Sequence, residues 1–160
     1  MERPFSHIAK SGKLRMVDVT SKRATKRRAS ASCVVTTVAH VTSLEPSSAD
    51  VDPWHAARLA GIQAAKRTSS LIPLCHPLSL SDIHVEVTPC EGRVEISATV
   101  AALERTGVEM EALTACAVAA LSVVDSLLEL DPSARIDDLV LLSKSGGKSG
   151  PWGRLVDTPH

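Results

Sequence analysis

Two stretches in the middle of the chain alternate strictly between apolar and polar residues. The first covers residues 83–88 and the second covers residues 94–100, with Gly92 between them. A period of two is typical of strands that bury one face, and glycine favours the turn that joins them. The pattern therefore predicts a β-hairpin with one face on the core and the other in water.

Four further segments complete the predicted order of elements. Residues 31–39 and 136–142 are rich in apolar and β-branched residues, so each predicts a strand. Asp52 and Pro53 suit the N-cap and first turn of a helix, and residues 109–130 predict a second, longer helix. The resulting order, βαββαβ, predicts an α+β, ferredoxin-like fold, in which an antiparallel sheet carries its helices on one face.

The connections between these elements are rich in proline and serine. Residues 44–52 predict a loop, and Pro73 and Pro77 stiffen the connector that precedes the hairpin. Gly61 lies inside the first predicted helix, where glycine costs about 1 kcal/mol relative to alanine. We therefore expect another backbone to approach this glycine closely.

The second predicted helix is apolar around nearly its whole circumference between Leu113 and Leu128. A helix that covers only one face of a sheet has a polar stripe on its outer side. The pattern therefore predicts cover on both sides. In a chain of 160 residues the second cover is expected to come from another subunit, so we predict a homo-oligomer.

Composition narrows the classes of function. The 18 basic and 18 acidic residues cancel, and aromatic residues make up only 2% of the chain. A polyanion-binding surface and the aromatic platform of RNA-binding modules are both disfavoured, so we predict no nucleic-acid partner. No run reaches the roughly 20 apolar residues of a membrane span, and no secretory leader is visible. We expect a cytoplasmic protein that does not contact membranes and whose four separated cysteines are free thiols.

The charge is nevertheless uneven along the chain. The first 30 residues carry nine of the 18 Lys and Arg residues but only two acidic residues. A solvated basic arm is the common origin of such a run. An arm that folds over an anionic ligand, on this subunit or a neighbouring one, has the same pattern, and the local sequence does not distinguish the two.

Two acidic residues lie on the long helix. Asp125 lies in an apolar stretch near the helix C-terminus, where both desolvation and the helix dipole disfavour a negative charge. Glu111 lies 14 residues earlier, which places it about 21 Å away along the helix axis. The cost of Asp125 indicates a functional carboxylate, and a solvent-facing or hydrogen-bonded structural Asp explains the local pattern equally well.

The connector presents a histidine between two prolines. Because Pro73 and Pro77 restrict the backbone on both sides, His76 is held on a stiff segment. A stiffly held imidazole suits proton transfer or a hydrogen bond to phosphate. A rigid connector with an incidental histidine is the simpler alternative.

A third candidate is the glycine- and serine-rich segment KSGGKSG at residues 144–150. It is not a Walker A loop, because Leu142 occupies the position of the first glycine and Pro151 prevents a following helix. It can form a cationic loop that closes over phosphates through its lysines and backbone N–H groups. A mobile tail has the same composition.

Five motifs lie in order between residues 16 and 150. They read MVDVT at 16–20, ARLAGIQAAKRT at 57–68, LIPLCHPL at 71–78, TGVEMEALTA at 106–115 and KSGGKSG at 144–150. In this order and spacing they resemble the molybdenum cofactor biosynthesis protein C family, the cyclic pyranopterin monophosphate synthases. The chain then divides into a basic N-terminal arm at 1–30, a ferredoxin-like synthase domain at 31–144, and a Gly/Ser-rich loop with the C-terminal tail at 145–160.

The resemblance implies an activity and an assembly. The activity is that of a lyase in molybdenum cofactor biosynthesis, which converts 3′,8-cyclo-7,8-dihydroguanosine 5′-triphosphate to cyclic pyranopterin monophosphate and pyrophosphate. The assembly is a homohexamer, a trimer of dimers, with active sites at subunit interfaces. The resemblance implies no required cofactor and no protein-bound metal, and a divalent cation can accompany the triphosphate.

The resemblance also implies roles for individual residues. Asp125 matches the family's catalytic acid/base position, and His76 is the second candidate for proton transfer. The family's substrate-binding positions are matched by Leu74, Cys75, His76, Met110 and Glu111. Arg27 and Lys144 match basic residues that line the pocket, and further positive charge for the triphosphate is expected from Lys66, Arg67 and Lys148.

Two lysines of the family are replaced in this chain. Leu128 stands three residues after Asp125, where the family usually has a lysine, and Asp50 stands where the family has Lys in a Lys-Gly-Asp sequence. Loss of one catalytic partner commonly lowers the rate by orders of magnitude. Two functions remain open on the sequence: the synthase itself, and a catalytically impaired paralogue that keeps the fold and nucleotide pocket and acts as a binding or regulatory protein.

Overall fold

The computed structural model describes residues 7–8, 11–43 and 52–155. The strands are β1 (Thr25–Thr36), β2 (Leu80–Cys90), β3 (Arg93–Glu104), β4 (Arg135–Ser145) and β5 (Trp152–Gly153). The helices are α1 (Pro53–Lys66), α2 (Thr68–Leu71) and α3 (Glu109–Leu127), and a 3-10 turn covers Val41–Ser43. The strands form one antiparallel sheet in the order β2-β3-β1-β4-β5. Apart from the short β5, α2 and 3-10 turn, this is the predicted βαββαβ order, so the ferredoxin-like α+β fold is confirmed.

The predicted hairpin is β2 and β3, which pair along their whole length from Leu80 to Cys90. Gly92 forms the turn with a φ of +71°, a conformation that glycine adopts without steric cost. One face of the sheet is buried against α1 and α3, and it consists of alternate small and β-branched residues: Ala29, Ala31, Cys33 and Val35 in β1 and Val94, Ile96, Ala98 and Val100 in β3.

The first helix begins as predicted. The Asp52 side chain accepts a hydrogen bond of 2.9 Å from the backbone N–H of Trp54, and Pro53 occupies the first turn. Gly61 is buried where α1 crosses α3, and a Cβ at this position would lie 2.9 Å from the carbonyl oxygen of Ala115. The predicted close approach of a second backbone is therefore confirmed. Residues 44–51, which include Asp50 and most of the predicted loop, lie outside the described residues.

The second predicted helix is α3, which begins at Glu109 as predicted but ends at Leu127, three residues earlier than predicted. The backbone N–H groups of Leu130 and Asp131 both donate to the carbonyl of Leu127, which turns the chain at this point. The side of α3 that faces the sheet is fully buried. The outer side carries an apolar stripe, called the α3 stripe below, which comprises Met110, Leu113, Ala117, Leu121, Val124 and Leu128.

The first strand differs most from its prediction, because it begins at Thr25 instead of residue 31. The neighbour β3 extends as far as this early start, where Thr25 pairs with Glu104, and β4 reaches Arg28, which pairs with Ser145. The last six residues of the predicted basic arm are therefore part of the sheet. The strand ends at Thr36 because the next residues turn to meet Asp131, which accepts from the Thr37 hydroxyl and the Val38 N–H.

Candidate active site

A cavity of about 360 Å³ lies between the N-terminus of α3 and the connector that precedes β2. The connector contributes Leu74, Cys75, His76 and Leu78, and the start of α3 contributes Glu109, Met110 and Glu111. Thr106 and Gly107 complete the wall from the loop after β3. The cavity therefore brings together all five residues expected at the substrate-binding positions, although they come from two segments more than 30 residues apart in the sequence.

The connector is anchored at both ends. After the short α2, the N–H of Ile72 donates to Thr68 O at 2.8 Å, and the N–H of Cys75 donates to Ile72 O at 3.1 Å. At the other end the N–H of Ser79 donates to the Glu104 carboxylate at 3.0 Å. These bonds hold His76 in a fixed position at the cavity wall, as the flanking prolines predict.

Glu111 is the most buried acidic side chain of the cavity, with only 4% of its surface exposed. Its pKa is raised to about 7, chiefly by burial and to a smaller extent by the charge of Glu109, while the hydrogen bond from its own backbone N–H opposes this rise only in part. A carboxyl group with this pKa exchanges its proton close to neutral pH.

Cys75 is a neutral thiol rather than a nucleophile. Burial raises its pKa, and the charge of Glu111 raises it further. The thiolate is therefore disfavoured at neutral pH, and the side chain can contribute a weak hydrogen bond and its shape.

Lys144 extends from the end of β4 towards the start of α3. Its Nζ atom lies 3.2 Å from a carboxylate oxygen of Glu109, and both side chains are about one-third exposed. The ion pair places one cation beside the cavity, although Lys144 itself is not part of the wall. An anionic ligand can therefore compete with Glu109 for this ammonium group.

Arg27 lies near the start of β1, beside the loop that follows β4. Its guanidinium donates to the carbonyl oxygens of Glu104 and Arg105 at 3.3 Å each. A side chain at Gly146 or Gly147 would overlap Lys26 O or the Arg27 guanidinium, so the glycine loop lies directly against this arginine. Part of the hydrogen-bonding capacity of Arg27 is thus used within the chain.

The structure adds wall residues that sequence reasoning did not select. His7, Val17 and Lys22 close the cavity from the N-terminal segment, where the N–H of Arg15 donates to His7 O at 2.9 Å. Asp18 lies next to them, and hydrogen bonds from Thr20 hold its pKa below the usual range, with a smaller contribution from the charge of Arg15. Two signals could have found this segment: the MVDVT motif and the alternative of an arm that folds over a ligand.

Other candidate residues do not line the cavity of their own chain. Asp125 is exposed near the far end of α3 and shares no cavity with Glu111. Lys66 and Arg67 are exposed at the end of α1, and Lys148 is exposed in the glycine loop. Among the described residues, no three His, Cys, Asp or Glu side chains lie close enough together to hold a metal ion.

In the described part of the chain, α3 is the one helix long and apolar enough to cross a membrane by length and composition. Half of that stretch is buried against the sheet and α1. A core helix of a soluble protein has the same properties, and packing against the sheet and α1 explains the apolar character of the buried half of α3.

Fold and cavity together define an α+β enzyme of ferredoxin-like architecture, with a histidine, a buried carboxyl group and cations around one pocket. Comparison with known proteins gives the family. The chain belongs to the MoaC family, whose sequence profile matches residues 16–147.

Relatives of known name support this assignment. The chain is 48% identical over 152 residues to cyclic pyranopterin monophosphate synthase 2 of Mycobacterium tuberculosis. The alignment covers 94% of this chain and 91% of the relative. It is 49% identical over 153 residues to synthase 1 of the same species, and this alignment covers 94% of this chain and 90% of the relative. It is 48% identical over 152 residues to the synthase of Streptomyces coelicolor, with 94% and 89% covered.

Proposed function

We propose that this chain is a lyase of molybdenum cofactor biosynthesis. It converts 3′,8-cyclo-7,8-dihydroguanosine 5′-triphosphate to cyclic pyranopterin monophosphate and releases pyrophosphate. The observation that carries the proposal is the cavity, which joins the connector with Leu74, Cys75 and His76 to the first turn of α3 with Met110 and Glu111. The near 50% identity to named synthases over almost the full chain supports it.

The reaction requires groups that move protons and groups that bind the triphosphate. His76, held on its stiff connector, and Asp125 are the proposed proton-transfer residues. Lys144 approaches the ligand from the end of β4 and Arg27 from the start of β1, and Lys66 adds charge from the end of α1. No protein-bound metal is required in this proposal, and a divalent cation enters with the triphosphate if it enters at all.

The separation of Asp125 from the cavity supports a dimer in which two chains share each site. Asp125 and Glu111 are about 21 Å apart along one helix, too far to act on one small substrate. Two antiparallel α3 helices related by a two-fold axis near residue 118 would bring Asp125 of the partner subunit beside Glu111 of the first chain. The site is therefore complete only in the oligomer.

The α3 stripe supports the same arrangement. Its exposed members Leu121 and Leu128 are 57% and 48% exposed in the single chain, which is unusual for large apolar side chains on a core helix. In the antiparallel register, the α3 stripe of one subunit packs along its length against the α3 stripe of the other. We propose that three such dimers form a hexamer in the cytoplasm, a reducing compartment in which Cys33, Cys75, Cys90 and Cys116 remain the free thiols observed.

The direct test is turnover. Purified protein is incubated with the cyclised guanosine triphosphate, and pyrophosphate and the pterin product are quantified, with and without Mg²⁺ and a chelator. The expected result is product formation that the His76→Ala and Asp125→Asn variants reduce at least about 100-fold. Nucleotide binding without any turnover would contradict the proposal and favour the impaired paralogue.

The two replaced lysines provide a second test. Leu128→Lys and Asp50→Lys restore the family's residues at both positions. Because a supporting cation stabilises charge in the transition state, the double variant is expected to raise the rate of an enzyme that already turns over. A double variant no faster than the parent would show that other cations of this chain already supply this charge.

A further inference from the structure

The carboxyl group of Glu111 has surroundings that a purely substrate-binding acid does not need. It is 4% exposed, yet it forms part of the cavity wall. Among the described residues it makes no ion pair, and Lys144 is paired with Glu109 at 3.2 Å instead. A buried carboxylate without a cationic partner costs folding free energy, and such sites are enriched in catalytic acids and bases.

The groups around Glu111 come from every segment of the wall. Cys75 and His76 face the cavity from the connector, Glu109 from the same helix turn, and His7 and Lys22 from the N-terminal segment. Burial favours the neutral acid, and so does the charge of Glu109. The start of α3 favours the carboxylate through the helix dipole, so both protonation states are populated near neutral pH.

We propose that Glu111 is itself a proton-transfer residue of this site, in addition to its contact with the substrate. The inference rests on the proposed function and adds a catalytic group to it. In ring opening, one carbon–nitrogen bond of a carbon that carries two nitrogens breaks. Its electron pair goes to the leaving nitrogen, which takes the proton of the Glu111 carboxylic acid, while the other nitrogen gives its lone pair to the carbon and forms a C=N bond. In ring closure, an amine nitrogen adds to a C=N or C=O carbon, the π electrons move to the heteroatom, and the adding nitrogen gives its proton to the Glu111 carboxylate, so the residue ends as it began.

The position of Leu128 gives this role a structural reason in this chain. In the antiparallel pairing of α3, Leu128 of one subunit lies opposite residue 108 of the other, about one helical turn from Glu111. A lysine there would be a cation next to the carboxyl group and would favour its ionised form. With leucine in its place, Glu111 keeps its proton to a higher pH.

The test combines Glu111→Gln with Glu91→Gln, an exposed control in the turn between β2 and β3. We expect Glu111→Gln to lower kcat at least about 100-fold and Glu91→Gln to leave it unchanged. The parent's kcat should fall as the pH rises through about 7, and Glu111→Gln should lose this limb of the profile. A variant with the parent's kcat, or with a reduced kcat but the same pH profile, would overturn the inference.

A second measurement does not depend on turnover. In protein labelled with ¹³C at the glutamate carboxyl carbons, one resonance should titrate near pH 7 and disappear in Glu111→Gln. Titration of that resonance near 4.5 would overturn the inference even if the enzyme is active. Titration near 7 in a protein without turnover would contradict the proposed function and leave Glu111 as the group that exchanges protons in the cavity.

Discussion

At the scale of single residues, Asp131 organises a corner of the fold. One carboxylate oxygen accepts from the Thr37 hydroxyl at 2.7 Å and from Val38 N–H at 2.8 Å, and the other accepts from Ser133 N–H at 2.9 Å. The hydrogen bonds from Ser133, Thr37 and Val38 hold the pKa of Asp131 well below its usual range. The carboxylate thereby joins the end of β1 to the turn after α3.

Asp131→Asn should lower Tm at neutral pH, because an amide can accept at only one of the two oxygen positions. The carboxylate stabilises the folded state above the pKa of about 3.9 of an unfolded Asp, and this stabilisation is lost as the pH falls below it. The difference in Tm between parent and variant should therefore shrink below about pH 4. Asp82→Asn, exposed on β2, is the matched control, and equal Tm values for parent and Asp131→Asn would contradict this account.

Glu111 has the opposite dependence on pH. Its pKa is raised from 4.5 to about 7, so the folded chain binds more protons than the unfolded chain between these values. Stability is therefore complete below about 4.5 and is lost as the pH rises to about 7, by up to about 3 kcal/mol. Denaturant unfolding of Glu111→Gln should lack this loss, and a parent protein whose stability is flat from pH 5 to 7.5 would contradict the burial assigned to this carboxyl group.

At the scale of elements, local patterns predicted what depends on local interactions. The hairpin, the start of α1 at Asp52 and the start of α3 at Glu109 follow from alternation, capping and the apolar run. The start of β1 does not, because Thr25 is in a strand only through its long-range partner Glu104. The sequence of residues 25–30 shows their basic composition, which is typical of a solvated arm. It does not show the pairing with β3 that makes these residues part of a strand.

Gly61→Ala tests the contact between α1 and α3. Alanine gains about 1 kcal/mol of helix propensity, but its Cβ would lie 2.9 Å from Ala115 O and 3.2 Å from Ala119 Cβ. Because backbone on both sides must move apart, we expect a net loss of about 1–3 kcal/mol in the free energy of unfolding. Gln63→Ala, exposed on the same helix, should change it by less than about 0.5 kcal/mol. A Gly61→Ala protein more stable than the parent would show that the helices separate easily.

At the scale of the whole molecule, the proposed site needs residues from more than one chain. Sequence motifs predicted the five cavity residues of the connector and α3, because these lie in short contiguous segments. His7 and Lys22 line the cavity because the N-terminal segment folds back onto it, and no local pattern at these two residues predicts that contact. The catalytic role of Asp125 rests on the proposed dimer and stays a prediction.

Leu121→Glu tests the proposed pairing through the α3 stripe. Leu121 lies three residues from the proposed two-fold axis, so the two glutamates would be about 9 Å apart along the paired helices, and each charge would be buried in an apolar interface. We expect light scattering to show a smaller assembly at micromolar concentration and the assay to show lost activity, with the circular dichroism of the fold retained. Leu130→Glu is the matched control, since both leucines are 57% exposed and Leu130 lies outside the stripe. An unchanged mass for Leu121→Glu would exclude this register.

The contact between Arg27 and the glycine loop couples two regions that are distant in the sequence. The guanidinium fills the space that a side chain at residue 147 would need, and it also joins β1 to the carbonyls at the end of β3. The loop can therefore carry charge at Lys148 but cannot gain bulk at Gly147. A larger residue at position 147 would displace Arg27 and break its hydrogen bonds to the end of β3. A substitution in the loop after β4 would therefore loosen β1, β3 and β4 at once.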